Sequence, residues 1–188
     1  MEDRKLQILE AARELIEAKG FSDFSYADLE ARVHIRKPSI HHHFPRKDDL
    51  GLAILDGARH YLDRKRREIQ AFDGDGWGKL ELMFKDGCAN VCATGRVCTI
   101  NALQTDFGSL SEAMQKALKQ VTELESEIYA EVLEQGRRNG EFAFKGSSYD
   151  HAVVVLAAIK GSMQMARVLG QMAIETTQSI LKRYLTSS

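Results

Sequence analysis

Residues Ser25–Leu50 read Ser-Tyr-Ala-Asp-Leu-Glu-Ala-Arg-Val-His-Ile-Arg-Lys-Pro-Ser-Ile-His-His-His-Phe-Pro-Arg-Lys-Asp-Asp-Leu. The pattern is that of two short helices joined by a tight turn, followed by the start of a long helix. Ser25 is a candidate N-cap, and Asp28 three positions on completes a capping-box-like pair. Ala27, Leu29 and Val33 supply the apolar contacts of the first helix, and the turn falls at His34 and Ile35. A second helix runs from Lys37 to His43 with Pro38 in its first turn, where a missing N–H costs nothing. Phe44-Pro45 closes it, because the residue before a proline is pushed out of the α region. Two such helices joined by a short turn make a helix-turn-helix, whose second helix fits the DNA major groove.

Charge agrees with that reading locally and is silent globally. The 188 residues carry 26 Lys+Arg against 27 Asp+Glu, a formal net charge of −1, so no overall basic excess argues for nucleic acid. From Ala31 to Lys47, however, five cations (Arg32, Arg36, Lys37, Arg46, Lys47) stand without an acid, with His34, His41, His42 and His43 among them. That patch is the right size for a groove-binding element. Elsewhere the composition is that of an ordinary globular chain. The charged start Met1-Glu2-Asp3-Arg4-Lys5 is unlike a signal peptide. The longest clean apolar run, Ala152–Ile159, is too short to cross a bilayer. An odd set of three cysteines fits a reducing cytosol better than a disulfide framework. A cytoplasmic protein with no membrane partner is the expectation.

The stretch resembles the DNA-binding domain of the TetR family of bacterial transcriptional regulators. The likeness rests on Phe21 after Gly20, Leu29, Ala31, Ile35, the block Ser39-Ile40-His41-His42-His43-Phe44-Pro45-Arg46-Lys47, and Leu50. Three positions depart from the family pattern: His41 where an aromatic, most often Tyr, is usual; His34 at the usual turn Gly; and Arg36 at the usual small N-cap. His tolerates left-handed backbone better than most residues, whereas Arg36 gives a poor cap. The resemblance implies a DNA-binding regulator, a repressor by family habit, bound to a palindromic double-stranded operator as a homodimer. It implies that Lys37, Ser39, His41 and His42 face the major groove and that Ser25, Tyr26 and Lys47 reach phosphates. Arg36 and Pro38 complete the DNA-binding set.

Outward from this core the chain reads as all-α, with about nine helices. Residues 1–46 form a three-helix DNA-binding domain, and 47–188 a helical-bundle domain for ligand sensing and dimerisation. A first helix over 4–19 ends at Gly20, with Phe21 and Phe24 filling the small core. A long fourth helix runs from Lys47 to Phe72, its Arg64-Lys65-Arg66-Arg67 run read as solvated, and Asp73-Gly74-Asp75-Gly76 breaks it. Further helices are expected from Trp77 to Ala93, Val97 to Thr105, Ser109 or Ser111 to about Asn139, Tyr149 to Leu169 and Ala173 to Leu185. The eighth is apolar almost all round, so both its sides require burial. The small residues Ala157, Ala158, Gly161 and Ser162 allow a second copy to approach closely, with Ile174 and Leu181 alongside on the ninth helix.

A mostly apolar effector pocket is expected among helices four to eight. Its walls are Trp77, Phe84, Cys88, Val91, Asn101, Gln104, Tyr129, Leu133, Met163 and Arg167, where a few polar groups orient an unidentified small molecule. Arg167 needs a carboxylate such as Glu125 or an anionic ligand, since burying it alone is costly. Cys88 and Cys92 read as small buried hydrophobes. Cys98 belongs to the same pocket set. Its stretch to Met114 resembles the sixth-helix region of TetR-family repressors that sense electrophiles and oxidants through a cysteine at the helix start, and a thiol there, with Arg96 close by, can be reactive. Plain packing is the alternative.

No metal or other cofactor is expected, because consecutive helical residues point about 100° apart and His41, His42 and His43 therefore cannot close on one ion. No acid–base pair, nucleophile elbow or phosphate loop is present, so an enzyme would rest on Cys98 alone. A helical adaptor would leave the Ala31–Lys47 pattern unexplained.

Overall fold

The computed structural model describes residues 2–186, all of its regular structure helical. In chain order the elements are α1 (Glu2–Lys19), α2 (Tyr26–Val33), α3 (Lys37–His43), α4 (Lys47–Ala71), α5 (Gly76–Thr94), α6 (Thr99–Thr105), a 3-10 turn (Phe107–Ser109), α7 (Glu112–Arg138), α8 (Ser148–Leu169) and α9 (Met172–Thr186). Two compact units emerge. The first takes in the chain up to His60 together with Cys98–Val121; the second takes in Tyr61–Val97 and the chain from Thr122 on.

The first unit is built on Ile8, Ala12, Ile16, Phe24, Leu29, Ile40, Leu50, Leu103, Met114 and Leu118, all buried. It holds more than α1–α3, because α6 and the start of α7 pack with them. A Cβ at Gly51 would lie 2.4 Å from Met114 Cε and 2.9 Å from the Phe21 ring, so the glycine permits α4 and α7 to approach closely. The Asp106 carboxylate accepts from the backbone N–H groups of Phe21 (2.5 Å) and Ser22 (3.2 Å). Thr99 Oγ1 donates to the buried Glu17 on α1 at 2.7 Å. Gly20, with φ +90°, is doubly constrained, because a Cβ there would sit 2.8 Å from Asp106 Oδ2.

In the second unit α8 packs on α5 and α9. Phe142 wedges against Gly76 and Gly136, whose missing side chains leave it room. Two charge clusters inside this unit are absent from the sequence reading. Lys65 is buried and bonds Glu68 (2.9 Å) and Asp86 (3.4 Å), while Arg66 pairs with Glu131, so half of the basic run on α4 is structural rather than solvated. Glu125 takes Lys160 at 2.5 Å, both side chains about nine-tenths buried. Arg167 instead lies exposed, bonded to Gln164. The expected Arg167–Glu125 pair fails because the buried face of α8 at the level of Glu125 presents Lys160.

Candidate DNA-binding surface and regulatory elements

Local chemistry fixes the helix-turn-helix residue by residue. Ser25 caps α2: its Oγ accepts from the Asp28 N–H, and the Asp28 carboxylate accepts from the Ser25 N–H at 2.6 Å. That backbone hydrogen bond, with Lys19 and the Ser25 hydroxyl adding, holds Asp28 down at about 2, so the cap survives until strongly acidic pH and is lost only as pH falls through that value. His34 closes α2 in the left-handed region at φ 54°, the role a glycine would otherwise fill. Arg36 precedes α3 without a side-chain cap, and Pro38 lies in the first turn.

The turn turns α3 so that Ile40 is buried while Arg36, Lys37, Pro38, His41 and His42 are exposed and Ser39 is half-buried. These six residues share one exposed element with no acid among them, the arrangement that can read base edges and phosphates. The other three expected DNA contacts are already engaged within the chain. Tyr26 is buried; its hydroxyl donates to Phe44 O at 2.8 Å, and burial, with the Asp49 charge adding, raises it to about 12. Tyr26 therefore clamps the end of α3 and offers its ring, not its hydroxyl. The Lys47 ammonium lies over the Phe21 and Phe24 rings at 4.7 and 4.4 Å and donates to Ser22 O at 3.3 Å, and desolvation lowers its pKa. It ties α4 to the α1–α2 turn. Ser25 is exposed, but its oxygen serves the cap.

The expected effector-pocket residues fall in both compact units. Trp77, Phe84, Cys88, Val91, Tyr129, Leu133 and Met163 are buried in the second, with the Trp77 N–H donating to Glu81 at 2.6 Å. Asn101 is buried and Gln104 half-buried on α6 in the first unit. Cys98 is half-exposed and occupies the N-cap position of α6, with no side-chain cap bond. Cys88 is buried as expected; Cys92, also expected to be buried, is exposed one turn further along α5. A cleft of about 220 Å³ within the second unit is lined by Arg66, Ile69, Gln70, Ile128, Glu131, Val132 and Gln135, none of them an expected pocket wall. Among the described residues no three His, Cys, Asp or Glu side chains converge as a metal site.

The small-residue seam on α8 is only partly at the surface. Ala157 and Gly161 are exposed and Ala158 half-buried, whereas Ser162, Ile174 and Leu181 are buried within the chain. The uncovered apolar set continues the side on which Ala157 and Gly161 are exposed: Val153, Val154, Met165 and Val168 on α8, and Met172, Ile180 and Tyr184 on α9. Val168 is 85% exposed and Met172 62%. A helix apolar on every side carries no phase in its sequence, so the sequence alone does not separate Ser162, which packs inward, from Ala157 and Gly161, which stay at the surface. With its 22 residues, α8 is long and apolar enough to cross a membrane by length and composition alone.

Comparison with known proteins gives a consistent result. Residues 8–54 match the family model described as bacterial regulatory proteins, tetR family. The HTH-type transcriptional repressor NemR of Escherichia coli is 24% identical over 171 residues, covering 88% of this chain and 85% of that protein. A TetR-family transcriptional regulator from Agrobacterium tumefaciens has the same fold at a TM-score of 0.91 and 26% identity, over 99% of each chain. The reduced form of E. coli NemR superposes at 0.82 with 21% identity over 96% of each chain, a likeness of fold.

Proposed function

We propose, for a chain that belongs to the TetR family of bacterial regulatory proteins, that this transcriptional regulator is a cytoplasmic, non-enzymatic repressor. In this reading it binds a palindromic operator as a homodimer and leaves it when a small-molecule effector binds. Residues 1–46 supply DNA contact, and 47–188 supply sensing and dimerisation. The observation that carries the reading is the acid-free exposed face of α3, held at both ends by the His34 turn and the Tyr26 clamp. The uncovered apolar face of α8 and α9 supports the dimer. A ligand that prefers the form whose two reading heads are wrongly spaced lowers DNA affinity by its differential binding.

Selection of bound duplexes from a random pool tests the reading. Two-fold symmetric dimers enrich an inverted repeat whose half-sites lie about one DNA turn apart, or a multiple of it. A pool that yields a single unsymmetrical site, or no enriched sequence, counts against a dimeric operator-binding protein.

A second reading, in which the effector is an electrophile that reacts with Cys98, is favoured by one observation. The half-exposed thiol sits at the start of α6, and α6 is tied to α1 and to the turn after it by Thr99 and Asp106. The similarity to NemR, a repressor also known in a reduced form, points the same way.

A further inference from the structure

The Tyr26 and His41 rings face each other at the end of α3, with centroids 4.6 Å apart and planes at 60°. His41 Nδ1 lies 3.3 Å from Pro45 O. A carbonyl oxygen only accepts, so Nδ1 carries the hydrogen in this contact. A neutral imidazole has one N–H, and Nε2 is therefore left with a lone pair on an exposed side chain of the reading helix. Phosphate oxygens, guanine N7 and guanine O6 are acceptors only. A lone pair set against any of them repels; an Nε2–H donates.

We propose that His41 engages DNA as an imidazolium, Nδ1–H remaining on Pro45 O while Nε2–H donates to an acceptor-only atom of the duplex, so that DNA binding takes up a proton at this residue. The inference rests on the reading that α3 enters the major groove. The charged and titratable side chains around His41 suit the protonated form unequally. Tyr26 on α2 presents a neutral ring, whose face favours a cation. Lys37 shares α3 and opposes a further charge. Past Pro45, Arg46 is paired with Asp49 of α4 at 2.9 Å, so that carboxylate is already neutralised. The DNA acceptor is thus the group that favours the second N–H, which couples proton uptake to binding. The sign follows: a proton bound more tightly in the complex makes affinity high at low pH and lowers it as pH rises, by up to about tenfold per pH unit for each proton taken up.

The test is fluorescence anisotropy of the full-length protein on a labelled duplex carrying the DNA upstream of its own gene. Ionic strength is held fixed and pH runs from about 5.5 to 8.5, the range in which histidines titrate. Wild type is expected to weaken steadily as pH rises. His41→Phe keeps a ring against Tyr26 without the nitrogens; it should bind more weakly than wild type at the acid end and approach it as pH rises, its pH slope falling by up to one proton per subunit. His41→Gln supplies an amide donor that does not titrate, so its binding should be retained with the slope reduced. His42→Phe should keep the wild-type slope. A phosphate partner makes the His41→Phe loss uniform over duplex sequences, and a guanine partner confines it to one base pair. A His41→Phe variant with the wild-type slope overturns the proposal. Lys37→Ala keeps the underlying reading separate: it should weaken binding at every pH with the slope intact. If Lys37→Ala binds as wild type does, the placement of α3 in the groove fails and the His41 contact falls with it.

Discussion

Gly161→Arg is expected to convert the protein to a monomer and to abolish tight operator binding. A Cβ at Gly161 meets no atom of its own chain within 4 Å, so the substitution leaves the folded subunit undisturbed. What it changes is the face that Ala157, Met165 and Val168 share on α8. A charge buried there against a second copy would have no partner, and an unpaired buried charge costs about 3–5 kcal/mol, enough to dissociate a dimer at micromolar concentration. Because a palindrome is held by two linked heads, losing the partner removes the avidity of the second head, about a hundredfold or more in affinity. Sedimentation and operator titration of the same preparation read both effects. Helical content and melting temperature should stay at wild-type values. A variant that sediments as a dimer places the interface elsewhere.

Cys98→Ser is expected to remove the response to a thiol-reactive electrophile while leaving DNA binding intact. With N-ethylmaleimide as the probe, the thiolate sulfur adds across the ring double bond and the adjacent carbon takes a proton, leaving a bulky thioether at the N-cap of α6. That helix is held by Thr99 on Glu17 and by Asp106 on the N–H groups of Phe21 and Ser22, so a displaced α6 loses two tethers to the elements that support α2 and α3. Hydrogen bonds to charged groups are worth about 1.5–3 kcal/mol each; breaking both shifts the affinity of the reading head by one or more orders of magnitude. The wild type should therefore release DNA on treatment and Cys98→Ser should stay bound. Cys88→Ser and Cys92→Ser should still respond, the second being the sterner control because Cys92 is exposed. Release of Cys98→Ser by the same reagent would mean that the electrophile acts elsewhere, and reversible ligand binding would then be the better account of control.

How much of this was legible in the sequence depended on the range of the interaction. α3 begins at Lys37 and ends at His43, as Pro38 and Phe44-Pro45 indicate, and the Ser25–Asp28 cap and the left-handed His34 are equally local. Their causes lie within four residues. The partners that were misjudged are distant. The sequence around Lys47 does not show that Phe21, Phe24 and Ser22 lie beneath it. Asp106 carried no motif at all, because its partners are 85 and 84 residues away. Glu125 found Lys160 rather than Arg167, and Ser162 turned inward, because the apolar circumference of α8 leaves its rotation to be decided by packing; Ile174 and Leu181 on α9 are buried within the chain as well. The composition of the reading head shows that it is cationic; which of its side chains remain available to DNA emerges only once the clamp by Tyr26 and the tether by Lys47 are seen.

The central claim is that the exposed face of α3 reads DNA, and the direct measurement is the affinity of Lys37→Ala and wild type for the selected inverted repeat and for a scrambled duplex, each at two salt concentrations. If Lys37 touches a base, the variant should lose about 1–3 kcal/mol on the repeat and discriminate less between the two duplexes; if it touches a phosphate, the loss should be nearly uniform and the salt slope should fall by about one. Affinity for both duplexes unchanged from wild type, at both salt concentrations, would contradict the account.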